Sequence, residues 1–219
     1  MLRTAHAASL MTLTLFLSGC DSQKRSSTGV RTGEFREVAD FTFTNQEDRD
    51  FSRDELKGKV WVANFVFTTC AAECLVLSAR LATLQRQFEG NEEVAFVSFS
   101  VDPQTDTPER LAQYAERWHA KPDTWRFLTG DPDKIDHLVK NTFLLPVSRD
   151  PIEMGKIISA KLIHSNKFAI VDRKGVVRAY VDGLPEDSTQ TVSRIIVQLL
   201  QEPSPTHELS SSTTQSIQP

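Results

Sequence analysis

Two stretches, "VWVANFVF" at 60–67 and "VAFVSFSV" at 94–101, are almost unbroken runs of apolar, β-branched and aromatic residues. A strand with one wet face alternates apolar and polar residues. A near-continuous run belongs instead to a strand buried on both faces, inside a sheet that helices cover. Between the two runs, Leu77, Leu81, Leu84 and Phe88 recur at three- and four-residue steps, which predicts a helix from about Cys70 to Phe88. Strand, helix, strand is the unit from which a parallel sheet is built.

The rest of the body continues the alternation. "DFTFTN" and "DFSRDEL" flank a charged turn and predict a short strand or hairpin. In "DTPERLAQYAERW" Thr107 is placed to cap a helix, with Pro108 at its first position, where a missing N–H is harmless. "TWRFLTG" predicts a short strand and "DPDKIDHLVKNTF" a helix starting at Asp131. Residues 146–163 have no clear period. "HSNKFAIVD", the turn "RKG" and "VVRAYVDG" predict a hairpin, and "STQTVSRIIVQLLQ" a closing helix capped near Ser188. The expected class is therefore α/β, a thioredoxin-like arrangement: a mainly parallel central sheet flanked by helices, with a late β-hairpin.

The ends differ from the body. In "MLRTAHAASLMTLTLFLSGC" an apolar run from Ala7 to Leu17 is too short to span a bilayer and has the length of a signal-peptide core. It ends in Leu17-Ser18-Gly19-Cys20, which resembles a bacterial lipobox, so residues 1–19 are expected to be a signal peptide and Cys20 the lipidated residue. More than one acyl chain on Cys20 gives a firm membrane anchor. Asp21 resembles the residue that retains many lipoproteins at the inner membrane. The expected location is the bacterial cell envelope, with the protein a lipoprotein anchored to the periplasmic face of the inner membrane. Residues 20–33 form a polar tether, 34–202 the folded domain and 203–219 a disordered tail. The net charge of −4 excludes the basic footprint of a nucleic-acid binder.

With Cys20 assigned to the anchor, two of the three cysteines remain, Cys70 and Cys74, where the first buried strand gives way to a helix. The C-terminal edge of such strands is the usual place for ligands and reactive groups. A structural disulfide, a redox couple and a metal site are all open to a CxxxC pair in an exported protein. At helical spacing the Cβ atoms would stand about 5–6 Å apart, whereas a disulfide prefers about 4 Å. That tilts the pair towards a metal without deciding it. A helix start favours thiolate, and Glu73 opposes it. Of the possible third ligands, His119 and His137 fall in helical patterns, His207 in the tail, and Met154 in an irregular segment where packing is the simpler role. His164 differs, because it stands before "NKFAIVD" at the lip of a strand in the same sheet.

Together "FVFTTCAAEC", "FVSFSVDPQTDTPERLAQYAERW", "WRFLTGD" and "IHSNKFAIVDRKGVVRAYVDG" resemble the Sco/SenC family of copper-binding proteins, in the family's order, from about Phe41 to Gln201. The resemblance implies a thioredoxin-like fold on which Cys70, Cys74 and His164 hold copper. Two soft thiolates and an imidazole suit three-coordinate Cu(I), with Cu(II) also admitted, whereas zinc would want a fourth ligand. The resemblance further implies a metallochaperone more than an enzyme, with the copper-site subunit of cytochrome c oxidase as client. The alternative is a thiol–disulfide oxidoreductase using Cys70 and Cys74 on a partner's cysteines. Asp102 and Asp106 fall in the family's DPxxDTP segment, with Asp102 read as shaping the loop beside the site. Ala71 and Leu75 stand where the family commonly has proline, and Ile163 where an Asp often precedes the histidine, so a looser site is expected.

Overall fold

The two apolar runs form neighbouring parallel strands at the centre of one sheet. A computed structural model of the chain describes residues 30–145 and 165–203. In chain order its elements are β1 (Arg31–Thr32), β2 (Thr42–Asn45), β3 (Asp50–Ser52), a 3-10 turn at Arg53–Leu56, β4 (Val60–Val66) and α1 (Glu73–Gln87). Then come β5 (Val94–Ser100), α2 (Pro108–Arg117), β6 (Trp125–Thr129), α3 (Pro132–His137), a π-type turn at Leu138–Thr142, β7 (Lys167–Val171), β8 (Val177–Asp182) and α4 (Ser188–Leu200). The strands lie in the order β1-β8-β7-β4-β5-β6-β2-β3.

The expectation of a mainly parallel sheet is corrected. Among the described residues only β4–β5 and β5–β6 pair in parallel; the β7–β8 hairpin, β1 and the β2–β3 hairpin all add antiparallel neighbours. The sheet is mixed because the crossovers through α1 and α2 preserve the chain direction, whereas the β2–β3 and β7–β8 hairpins reverse it and β1, β2 and β7 pair antiparallel with strands distant in sequence. The first edge strand also reaches further back than composition suggested, with Arg31 and Thr32 paired to Tyr180 and Ala179.

The central strands are buried on both faces, as their sequences require. On one face Val60, Val62 and Val66 pack with Leu77, Leu81 and Leu84 of α1 and with Leu111, Val192 and Ile196 of α2 and α4. On the other, Trp61, Ala63 and Phe65 meet Phe41, Phe43, Phe99, Ile135 and Phe143. Phe99 is the hub of that second layer, with ring centroids 5.4 Å from Phe41 edge-on, and 5.8 Å from both Phe65 and Phe143. Local chemistry sets the helix starts. Thr107 Oγ1 accepts the Arg110 N–H, and the Asp131 side chain accepts those of Asp133 and Lys134, with proline following each cap.

One glycine sets how closely α1 approaches the sheet. A Cβ on Gly183, just after β8, would stand 2.1 Å from Leu77 Cδ2, 2.9 Å from Phe168 Cε2 and 3.0 Å from the Asn166 carbonyl oxygen, which accepts the Gly183 N–H. Gly183→Ala is expected to lower stability by about 1–3 kcal/mol, the range for overpacking. In a thermal melt that corresponds to a fall of about 2–4 °C per kcal/mol for a domain of this size. An unchanged melting temperature would show that Leu77 and α1 can retreat freely.

Candidate dithiol and metal centre

β4 ends at Val66, whose carbonyl accepts the Val101 N–H at 2.9 Å, so β4 and β5 leave the sheet side by side. The chain then turns: the Phe67 carbonyl accepts the Cys70 N–H at 3.1 Å, and α1 begins at Glu73. The predicted helix start at Cys70 is therefore corrected by three residues. Cys70 lies in the loop and Cys74 in the first turn of α1, so the loop conformation, not i,i+4 spacing on one helix, brings the two side chains together. No side chain caps α1, whose N-cap position is Ala72.

Cys70 and Cys74 are free thiols, 9% and 0% exposed. Their side chains are neighbours in one buried cluster on the α1 face of the sheet. Burial pushes the Cys74 thiol well above the ordinary cysteine range, and the hydrogen bond and charge of Cys70 and the charge of Glu73 add to it; a hydrogen bond with the Phe67 backbone pulls the other way. Without a cation the buried sulfur is thus held protonated, and a thiophilic metal would have to displace that proton. Around the pair, Thr69, Ala71, Ala72 and Glu73 are exposed, so the site lies one layer beneath a small-residue surface.

Of the other sequence-predicted donors, His119 follows α2 in a left-handed turn (φ 52°) with its carbonyl bonded to Gln85. His137 ends α3 and lines a separate cavity of about 710 Å³ with Phe41, Asp133 and Lys134. Neither joins the cysteines. His164, Met154, His207 and Cys20 lie outside the described residues. Among the described residues no three His, Cys, Asp or Glu side chains converge on a metal position. β7 is antiparallel to β4, with Ala169 opposite Ala63, so the start of β7 and the end of β4 lie on the same edge of the sheet.

The loop-shaping role expected of Asp102 divides between two residues. Asp102 acts through its backbone, its carbonyl accepting the N–H groups of Thr105 and Asp106 at 3.0 and 2.9 Å. The side chain that reaches the cysteine loop is that of Asp106. Fully buried, it accepts the Thr68 N–H (3.1 and 3.2 Å to its two oxygens), the Thr68 hydroxyl (2.5 Å) and the Ser100 hydroxyl (2.6 Å). Burial raises its pKa, and the bonds from Ser100 and Thr68 counter that. Sequence reasoning had placed Asp106 in a motif without a role.

A dithiol where a buried central strand gives way to a helix, on a sheet closed by a late hairpin, defines a thioredoxin-like protein. Within that class the chain belongs to the SCO1/SenC family, whose model matches residues 30–201. It is 33% identical over 172 residues to a SCO1 protein homolog of Bacillus subtilis, covering 78% of this chain and 83% of the relative. A SCO1/SenC family lipoprotein of Bacillus anthracis superposes with a TM-score of 0.68 at 32% identity, covering 76% of this chain and 96% of that one. BsSco, a member of the Sco family of cytochrome c oxidase assembly proteins in which a disulfide switch was identified, gives 0.66 at 30% identity, covering 77% and 96%. Copper is bound in the ScoI structure of Bradyrhizobium japonicum, which shares the fold with a TM-score of 0.62 at 20% identity, covering 74% and 99%.

Proposed function

We propose that the chain is a lipid-anchored copper carrier of the bacterial envelope, holding copper through Cys70, Cys74 and His164 and passing it to the copper centre of cytochrome c oxidase. The observation that carries this reading is the pair of free, buried thiols that share one cluster at the sheet edge where β7 begins. Ser165, just before β7, is itself buried, and it follows His164 directly in the sequence. Two thiolates and an imidazole are a donor set for Cu(I). In this account Cys20 carries the lipid, the segment between Cys20 and β1 keeps the domain close to the periplasmic face of the inner membrane, and the body from β1 to α4 is the working unit. Copper is cargo, exchanged ligand by ligand with a client, so the protein needs no bond-making chemistry beyond proton release from its thiols.

The neighbouring free thiols favour a second reading, thiol–disulfide exchange on a partner's cysteines. His164→Ala separates the two. If copper carriage is the function, the variant should lose copper affinity by more than about tenfold, since even outer-shell changes cost about 10–100-fold, while reducing a model disulfide at nearly the wild-type rate. Equal copper affinity in variant and wild type, measured by competition with a chelator, would remove His164 from the site.

A further inference from the structure

We infer that Asp106 is a positioning residue for the dithiol: its buried carboxylate holds Thr68, and through Thr68 sets where the Cys70 sulfur stands relative to Cys74. The inference rests on the reading of Cys70 and Cys74 as the working pair, though not on the identity of the metal. Thr68 lies between the last residue of β4 and Cys70, and its N–H and hydroxyl both end on Asp106. Beyond it, the next restraint on the loop is the Cys70 N–H bond to Phe67. Cys74 is held differently, by the packing of α1 through Leu77 and Leu81. Loss of the grip on Thr68 would therefore move one sulfur and leave the other in place.

Asp106 is itself immobilised. Its N–H is bonded to Asp102, Ser100 Oγ receives the Asp102 N–H at 3.1 Å while donating to the carboxylate, and Thr107 caps α2 directly after it. The segment 102–108 is thus a bracket fixed at both ends, to β5 and to α2, with the carboxylate projecting under the end of β4. Both Asp106 oxygens receive a hydroxyl and share the Thr68 N–H, and among the described residues no cation pairs with them. A carboxylate accepts at both oxygens; an Asn accepts at one and presents N–H at the other, which the backbone N–H of Thr68 cannot answer.

The test uses the reduced, metal-free domain of the full chain, comparing wild type, Asp106→Asn and Thr68→Val. Thr68 is half-buried, so Thr68→Val keeps the fold if Asp106→Asn does not. The thiol–disulfide equilibrium is measured against glutathione, in which the two protein thiols give two electrons and two protons to glutathione disulfide and yield two glutathiones. The expected result is a change of about tenfold in that equilibrium, or about 30 mV, with faster alkylation of Cys70 and unchanged alkylation of Cys74. In copper-loaded protein the sulfur-to-copper absorption band should shift in both variants. Wild-type potentials and Cys70 alkylation rates in folded variants would overturn the role of Asp106. If the wild type takes up no copper but the potential still moves, the copper reading fails while the positioning role stands.

Discussion

Alanine at Cys70 or at Cys74 is expected to abolish tight copper binding while leaving the fold intact. Each substitution removes one of two soft donors, and the described part of the chain offers no replacement: no other Cys, His, Asp or Glu converges on the pair. Outer-shell changes around a metal already reduce affinity by about 10–100-fold; losing a thiolate should exceed the upper end of that range. Structure should survive because the change is small in volume. Cys70 sits in a loop and Cys74 is one member of a face that Leu77, Leu81 and Leu84 maintain. Titration of the reduced variants with Cu(I) against a competing chelator, with circular dichroism as the control for folding, measures the loss. Retention of wild-type affinity by either variant would mean that copper sits elsewhere.

Phe99→Ala is the substitution expected to damage the body most. The ring is fully buried and touches four aromatic neighbours, Phe41, Phe43, Phe65 and Phe143, from three different parts of the chain. Deleting it removes both the transfer free energy and the packing of those rings, about 3–5 kcal/mol in a core that cannot fully collapse. In urea the midpoint should fall with an unchanged slope. A loss under about 1 kcal/mol would mean that the layer is looser than its ring geometry indicates. The comparison with Gly183→Ala is useful, because that change tests the opposite face, where α1 and the cysteines are.

Much of the fold could be read from local chemistry. β4 and β5 were legible because burial on both faces leaves a run with no polar side to hide. Thr107 was legible as a cap and Asp131 as a helix start because a helix N-terminus is defined by residues within one turn of itself. Strand direction was not legible, since it depends on which distant strand becomes a neighbour. β2 pairs with β6 through Thr44 and Thr129, a contact that no short window contains. β1 was missed for a related reason, being two exposed residues with no apolar pattern.

The site divides along the same line. Cys70 and Cys74 were visible as a pair, but the start of α1 at Glu73 was not, because Ala71 and Ala72 carry no capping side chain to mark it. Asp106 gave no signal of its role because its partner Thr68 lies 38 residues away. His164 rests on the resemblance of its surrounding motif and on its covalent link to the buried Ser165. The helical-spacing argument for a metal over a disulfide does not survive, since the cysteines do not share a helix. What replaces it is a pair of free, buried thiols in one cluster, an arrangement that can close to a disulfide or open to a metal.

X-ray absorption at the copper edge, on the reduced chain loaded with one equivalent of Cu(I), tests the central claim most directly. The account predicts two sulfur scatterers and one imidazole nitrogen per copper, the imidazole signal disappearing in His164→Ala and one sulfur in Cys70→Ala. A first shell without sulfur, or one unchanged by Cys70→Ala, would contradict it.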